Sequence, residues 1–524
     1  VDKILTCSFF IERNGLSPMS SFNPIPEGSR RVRIFDSTLS QGELVPGISF
    51  STQAKMEIAM NLDALGVDVI EAGFPAASEG ERRAVSEVVK AVKRISRAGF
   101  SAEICALARA LPTDVELALE TEADCIHIFM PASKLHLEKR LRMTYEDALN
   151  HVVDSVSKAK SGGAVVEFTA EDASRAEPDF LWRLCKSAEE AGADRINLTD
   201  SVGALTPDGA ANMVREAKKH LSKPISVAFF NDLGMATANS VAAVLAGADQ
   251  VHASVNGLGP KAGLTPLEQV VVALSELAKV ETGVQLHLLS EVSELVERLS
   301  GVPIYEIAPI VGPLTYTYEA GVHVHAISVD PSTYELVPPE KVGRKRRFIV
   351  GKLSGRTAVV QTLKEMGYEV DDARVEEILA KVKEMADKGV RITEGVFRSI
   401  VEEVLGEGGG KWFEVLEWMV VTGSGVTPTA QVKARVGDKE LRAASFGVGP
   451  VDALANTMRS LEGVPDFKLR RFRLRAISSG TDAIGEVLIR VLGPKGEVEA
   501  SGTSPDILEA SLKALEDSIN KIKG

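Results

Sequence analysis

The sequence predicts a (β/α)8 TIM barrel, then a helical linker region, then a C-terminal α+β domain of two βββα units. Three observations carry that reading. Short β-branched runs alternate with helical stretches over about 250 residues, the arithmetic of eight strand–helix units. Past Val280 the alternation stops. Beyond a glycine cluster, Glu407-Gly408-Gly409-Gly410, a strand–strand–strand–helix pattern occurs twice. The boundaries drawn from these breaks are a 1–30 N-terminal extension, a 31–285 barrel, 286–406 linker subdomains and a 411–524 C-terminal domain.

The strand runs are Val32–Phe35, Asp68–Ala72, Ala102–Leu107, Cys125–Phe129, Ala164–Phe168, Arg195–Leu198, Ile225–Phe230 and Gln250–Val255. Between them, Ser51–Leu65, Ser78–Ile95, Tyr145–Lys160, Pro178–Ala191 and Thr206–His220 repeat their apolar residues at the spacing of one helix face. A doubly wound sheet would need fewer strands and a glycine fingerprint after the first. Here the first strand runs into Asp36-Ser37-Thr38-Leu39. Leu288–Ser300 reads as a helix, and Ile304–Asp330 as a Gly/Pro-punctuated stretch with an HxH. Val342–Arg356 is basic and glycine-bounded, and helices are expected between Asp372 and Leu405. In the repeat, Phe413–Thr422, Ala430–Val436 and Lys439–Ser445 lead into a helix at Val451–Leu461. Phe467–Ala476, Ala483–Leu492 and Val498–Gly502 lead into a second at Asp506–Ile522. Two such units in tandem are expected to pack as one domain with a groove at the seam.

Hydrophobic residues make up 44% of the chain and charged residues 25%, enough for a sizeable core and against disorder. A net charge of −13 argues against nucleic acid or an anionic membrane as partner. Cys7, Cys105, Cys125 and Cys185 are scattered without a CxxC, so neither a zinc knuckle nor a disulfide framework is expected. The first thirty residues hold only a short apolar patch, Cys7 to Ile11, and no apolar run reaches the roughly 18 residues of a spanning helix. A cytoplasmic protein is the expectation.

In a parallel barrel the loops after the strands carry function. Those loops hold Asp36-Ser37-Thr38-Leu39 after the first strand and Glu71-Ala72-Gly73-Phe74-Pro75 after the second. Asn231-Asp232-Leu233-Gly234 follows the seventh, and Glu319-Ala320-Gly321-Val322-His323 and Gly351-Lys352-Leu353-Ser354-Gly355-Arg356 lie in the linker. Together with Gly66-Val67-Asp68-Val69-Ile70 and the C-terminal repeat, these stretches resemble the 2-isopropylmalate, citramalate and homocitrate synthases over roughly residues 31 to 524. The resemblance implies a dimeric, metal-dependent acyltransferase condensing acetyl-CoA with a 2-oxo acid. Leucine or another branched-chain amino-acid pathway would be its setting, and a LeuA-type regulatory (dimerisation) domain would bind an amino-acid effector.

The chemistry departs from that pattern. Where the family has an arginine and then an aspartate after the first strand, this chain has Ser40 and Gln41. The family His-x-His after the seventh strand is Ala228 and Phe230. After the eighth, Pro260, Lys261 and Leu264 stand where the family has Glu, Arg and Asn, with Gly263 at the family glycine, and the linker histidine is Tyr318. The resemblance makes Gln41, Ala228, Phe230 and Leu264 the vacated metal positions. A hard divalent ion needs carboxylate or imidazole donors, and a methyl, a phenyl and an alkyl group supply none. The expectation is therefore no metal, no cofactor and a silent or strongly impaired condensation. Phe230 would fill the space of a hydrated ion.

Glu71, His136, Glu171, Arg175, Asp200, Ser201 and His323 match family positions around the substrate site. They read either as loop-holding hydrogen-bond partners or as a retained pocket for an anionic ligand. His323-Val324-His325 suggests a metal pair when read alone, but no third ligand is evident, which favours structural or pocket histidines. His127 and His252, inside strands, are expected to be buried and hydrogen-bonded. Arg344-Lys345-Arg346-Arg347, with Lys352 and Arg356, reads as a contact for a CoA phosphate or as a solvated loop. Gly447, Gly449, Pro450 and Asp452, repeated as Gly502, Ser504, Pro505 and Asp506, make turns into helix N-termini. Capping explains each alone; the resemblance adds an effector-binding role at the seam.

Two functional classes follow. One is a non-catalytic paralogue that regulates or scaffolds an active synthase, as a homodimer or hetero-oligomer. The other is an enzyme: either the family's acyltransferase, or a metal-independent relative using Glu71, Glu171, His136 or His323.

Overall fold

The computed structural model describes residues 30–95, 102–388, 392, 394–405, 411–476 and 484–523. Residues 1–29, with the Cys7–Ile11 patch, and the Glu407–Gly410 cluster lie outside the described residues. The chain forms two units, one running to Thr317 and including Asp330–Arg347, the other comprising Tyr318–Val329 and the chain from Phe348.

The first unit is a closed barrel whose strands follow one another in sequence order. They are β1 (Arg33–Asp36), β2 (Val69–Gly73), β3 (Glu103–Arg109), β4 (Cys125–Pro131), β5 (Val165–Glu171), β6 (Arg195–Asp200), β7 (Ile225–Phe229) and β8 (Gln250–Ala253). All neighbours are parallel, and β8 closes on β1 through Arg33 opposite Gln250 and Asp36 opposite Ala253. The helices lay aliphatic stripes on the outside of the barrel; Ile58, Leu62 and Leu65 of Thr52–Leu65 are fully buried. Ser51 caps that helix through its hydroxyl, and Gly66 ends it at φ 91°, a conformation that favours glycine. Strands β4, β5 and β6 run two to three residues beyond their apolar runs, to Pro131, Glu171 and Asp200. In β5 and β6 the ladder pairing continues while the side chains turn polar toward the barrel mouth.

At the opposite end the barrel interior is charged. Arg195 donates to Glu167 at 2.8 Å and to Glu103 at 2.5 and 3.2 Å, and Gln250 donates to Glu167. Each buried carboxylate thus meets a donor, which is what burial of charge requires. Cys105, Cys125 and Cys185 are free and buried.

A short strand pair, β9 (Thr317–Tyr318) with β10 (Arg347–Phe348), lies where the chain crosses between units. Within the second unit the HxH stretch is not irregular but helical, Gly321–Val329, because Val324 and Ile327 give it an apolar stripe. Asp372–Asp387 and Glu394–Leu405 are helices around a small core of Val375, Ile378, Phe397 and Val401.

The C-terminal part has two three-stranded antiparallel sheets. The first is β11 (Phe413–Gly423), β12 (Val426–Val436) and β13 (Lys439–Phe446), followed by a helix at Pro450–Arg459. The second is β14 (Lys468–Ala476), β15 (Gly485–Gly493) and β16 (Gly496–Ser504), followed by a helix at Ile507–Lys523. β12 begins four residues earlier than its apolar run because a tight turn pairs Gly423 with Val426. One core holds both repeats: Val432, Leu454 and Met458 from the first, Ile489, Leu515 and Ile519 from the second. Among the described residues no helix is long and apolar enough to cross a membrane.

Candidate functional site

The C-terminal ends of the barrel strands converge on a polar mouth. Ser40, in the turn after β1, donates its hydroxyl to Glu71 at the end of β2. The other Glu71 oxygen meets His127 Nδ1 at 2.5 Å, and His127 Nε2 meets the Thr169 hydroxyl. Asn197 completes the chain by donating to Thr169 at 2.7 Å and Thr199 at 3.2 Å. All of these side chains are buried. Burial opposes a charged ring at His127, but the Glu71 carboxylate outweighs it and raises the His127 pKa. Glu71 is therefore held by a histidine from inside the barrel and by a serine on its outer side.

Two further carboxylates lie nearby. Burial raises Asp36 to a pKa of about 7, against the bonds it accepts from Thr38 and with the help of Glu71 and Glu268. Burial likewise raises Glu268 to about 7 although it accepts the Asn256 amide at 3.1 Å.

On the far side of the mouth the positions after β7 and β8 pack together. Ala228 is buried, and Phe230 forms an antiparallel bridge with Leu264. Lys261, at φ 60°, lays its ammonium 4.7 Å from the Phe230 ring centre while bonding Asp232 at 2.7 Å and the Ser201 carbonyl at 2.8 Å. An aromatic face and a lysine thus occupy one wall of the mouth. Gly263, at φ 88°, lets that loop approach: a Cβ there would sit 2.0 Å from the Gly257 carbonyl oxygen.

The remaining sequence-picked residues are engaged with one another. Arg140 grips Glu171 through two bonds of 2.8 and 2.5 Å. Arg175 grips Asp172 at 2.8 and 2.9 Å, and His136 stands 3.9 Å from both acids. Ser201 accepts the Asp172 amide, while Asp200 accepts the Ser174 hydroxyl and the amides of Ala204 and Leu205. His252 is buried, bonded to Glu167 at 2.6 Å and stacked on Phe35. In the second unit, His323 and His325 are exposed on a helix. Two residues apart there, they point to different sides and do not form a pair.

Sequence reasoning missed Lys55. Its fully buried ammonium bonds Glu43 at 2.8 Å and Glu81 at 2.6 and 2.7 Å, fixing the β1 and β2 loops to each other. The signal was present: Lys55 falls on the buried stripe of Ile58 and Leu62. Beside this ion pair a cavity of about 380 Å³ is lined by Ser40, Gln41, Ser49, Phe74 and Leu107.

In the C-terminal part, Asp452 accepts the Val448 amide at 3.0 Å and a bond from Asn456. Gly447 permits close approach of strand end to helix, because a Cβ would lie 2.4 Å from the Ala453 amide. Gly502 is tighter still, 2.2 Å from the Ala510 carbonyl. Ser504 bonds Glu509, and Asp506 accepts the Leu508 amide at 2.7 Å. Gly449 and Pro450 open the first helix as N-cap and first-turn residues.

Comparison with known proteins places this geometry. Residues 31–296 match the HMGL-like family, residues 310–390 the homocitrate synthase post-HMGL domain and residues 391–523 the LeuA allosteric (dimerisation) domain. A 2-isopropylmalate synthase of Methanocaldococcus jannaschii is 41% identical, covering 94% of this chain and 95% of that protein. The chain belongs to the 2-isopropylmalate and citramalate synthase family. A (R)-citramalate synthase of the same organism is also 41% identical, with 94% and 99% covered. A protein of Methanopyrus kandleri named "Probable 2-isopropylmalate synthase" reaches 44%, with 94% and 98% covered.

Family membership implies a divalent cation at the mouth, and the donors present do not fit one. The positions that the resemblance assigns to it hold Gln41, Ala228, Phe230 and Leu264. Among the described residues no three His, Cys, Asp or Glu side chains converge on a point that could hold a metal ion. Two acids of the mouth are committed elsewhere, Glu71 to Ser40 and His127 and Glu43 to Lys55.

Proposed function

We propose that this chain is a non-catalytic relative of the 2-isopropylmalate and citramalate synthases that regulates or scaffolds an active synthase. The observation that carries the reading is the closed bonding of the mouth. Ser40, Glu71, His127 and Thr169 satisfy one another, and Phe230 and Leu264 bridge over the opposite wall. Polarisation of a 2-oxo carbonyl by a metal is normally worth several kcal/mol in the transition state. Loss of an arginine at Ser40 removes further charge stabilisation, commonly about 10²-fold or more. The LeuA-type domain supports self-association and an amino-acid effector at the Gly447–Asp452 and Gly502–Asp506 turns. It equally suits assembly with a synthase that shares the domain.

The test is acetyl-CoA-dependent thiol release by the full chain over a panel of 2-oxo acids, with Mn²⁺ titrated calorimetrically. Neither turnover nor stoichiometric Mn²⁺ binding is expected; either would overturn the reading. Gln41→Asp with Ala228→His and Phe230→His should create Mn²⁺ affinity. A folded triple variant that binds none would show that these positions do not surround one point.

A second reading, a metal-independent enzyme, is favoured by the cavity next to Ser40. It requires turnover in the same assay that chelation leaves unchanged and that Glu71→Gln abolishes.

A further inference from the structure

The C-terminal part contains its own control experiment. The two repeats superimpose in sequence through a β-bulge in their first strands. In β11 the ladder skips Leu416, between the Val415–Ala434 and Glu417–Lys433 pairs. In β14 it skips Arg470, between the Leu469–Val491 and Arg471–Arg490 pairs. Phe413 thus corresponds to Phe467, Glu414 to Lys468 and Leu416 to Arg470. The helices align as well: Leu454, Thr457, Met458 and Leu461 are buried, as are Leu515, Ser518, Ile519 and Ile522. That alignment matches Ala455 to Glu516 and Arg459 to Asn520.

The helix of the second repeat meets β11, the helix of the first bonds Phe467 at the entry to β14, and the two junctions are completed differently. At the β11 junction Asn520 donates to the Phe413 carbonyl at 2.8 Å. One turn earlier, Glu516 places its carboxylate on the Val415 amide at 3.0 Å and on Lys411 at 2.6 Å. At the β14 junction Arg459 makes the equivalent bond to the Phe467 carbonyl at 3.1 Å. One turn earlier there is only Ala455. Where the Glu516 carboxylate sits in one repeat, the other has a cleft of about 270 Å³, lined by Ala455, Asn456, Arg459, Phe467, Lys468 and Arg470.

The charges around the cleft are reversed to match. Lys468 and Arg470 stand where β11 has Glu414 and Leu416, and the bulge turns Arg470 out of the ladder toward the cleft. Among the described residues neither makes an ion pair, and both are exposed. Arg459 has Asp466 at 3.8 Å and Asn456 at 2.5 Å. Asp452, the one acid on the lining, already accepts Val448 and Asn456. Three cationic side chains therefore surround the place of a missing carboxylate, in a chain whose net charge is −13.

We propose that this cleft binds a small dicarboxylate from solution, one carboxylate taking the place that Glu516 fills in the other repeat and the second meeting Lys468 and Arg470. The proposal does not depend on whether the barrel is catalytic, and its tests leave the barrel untouched.

Calorimetric titration of the full chain with succinate, with leucine as the zwitterionic comparison and inorganic phosphate as the non-carboxylate one, is the direct test. Succinate should bind at least about tenfold more tightly than either comparison, the difference expected of one added charge-assisted contact. Ala455→Glu should supply the carboxylate internally, abolish succinate binding and raise the thermal midpoint of the C-terminal part. Arg470→Leu, copying the β11 residue, should weaken succinate about tenfold at unchanged midpoint. No succinate binding at millimolar concentration, leucine binding as tightly, or unchanged succinate affinity in folded Ala455→Glu or Arg470→Leu would each overturn the proposal.

Discussion

The two ends of the barrel handle buried carboxylates in opposite ways. At the N-terminal end Glu167 and Glu103 lie against Arg195. Burial would raise both, yet His252 and Arg195 beside Glu167, and Arg195 and Arg33 beside Glu103, hold both below the ordinary carboxylate range, Glu167 well below. At the C-terminal end Asp36 and Glu268 are equally buried without a cation, and burial carries both up to about 7. The contrast separates a buried charge that has a counter-ion from one that has none. An ion pair at the bottom is part of the fold, whereas Asp36 and Glu268 at the mouth are held by hydrogen bonds to Thr38 and Asn256.

The largest expected effect is at the bottom. Arg195→Leu removes the guanidinium that Glu167 and Glu103 share, leaving Glu167 to His252 and Gln250 and Glu103 to Arg33. Breaking a buried pair by removing one partner costs about 3–5 kcal/mol. Denaturant unfolding of the barrel should show that loss, and a loss below about 1 kcal/mol would mean water reaches the two acids. At the mouth the sign reverses, because neutralising an acid there should stabilise. Glu268 is protonated in the folded barrel up to about pH 7 but ionises near 4.5 when unfolded. Its contribution is thus a penalty that is absent below about pH 4.5, grows as pH rises to about 7 and is constant above. Glu268→Gln should match the parent at pH 4.5 and exceed it at pH 8 by on the order of 3 kcal/mol. A variant whose advantage is the same at both values would show that Glu268 does not titrate this way.

How much of this was legible in the sequence follows the same division. The eight strands and the five helices named between them were legible because their apolar periods are local, whereas the helices at Pro112–Leu119, Ala236–Leu245 and Leu267–Glu276 were not named. Strand ends such as Glu171 and Asp200 were not, since there the ladder continues under polar side chains. That Gln41, Ala228 and Phe230 offer neither carboxylate nor imidazole could be read from residue identity. The bonding of the mouth could not, because the Ser40–Glu71–His127 chain joins β1, β2 and β4 through contacts distant in sequence. The helix at Gly321–Val329 was hidden by flanking glycines and prolines, although Val324 and Ile327 carry its period. Lys55 was hidden by its residue type, since a lysine is seldom fully buried, although its position on the Ile58–Leu62 stripe placed it inside.

The smallest expected effect tests whether the β7–β8 wall of the mouth is a packed surface or merely a vacated one. Phe230 is half-buried, bridged to Leu264 through its backbone and covered by the Lys261 ammonium. Lys261 is also tied to Asp232 and the Ser201 carbonyl, so the loop after β8 is held by three contacts of which the ring is one. Removing the ring forfeits one partly exposed cation–π contact and some apolar burial, together about 1 kcal/mol. Phe230→Ala should therefore lower barrel stability by about that amount and speed amide exchange at Gly257–Leu264, while Phe230→Tyr should leave both unchanged. If exchange in that loop is the same in the alanine variant, Lys261 alone holds it, and the aromatic ring fills volume without fastening the wall.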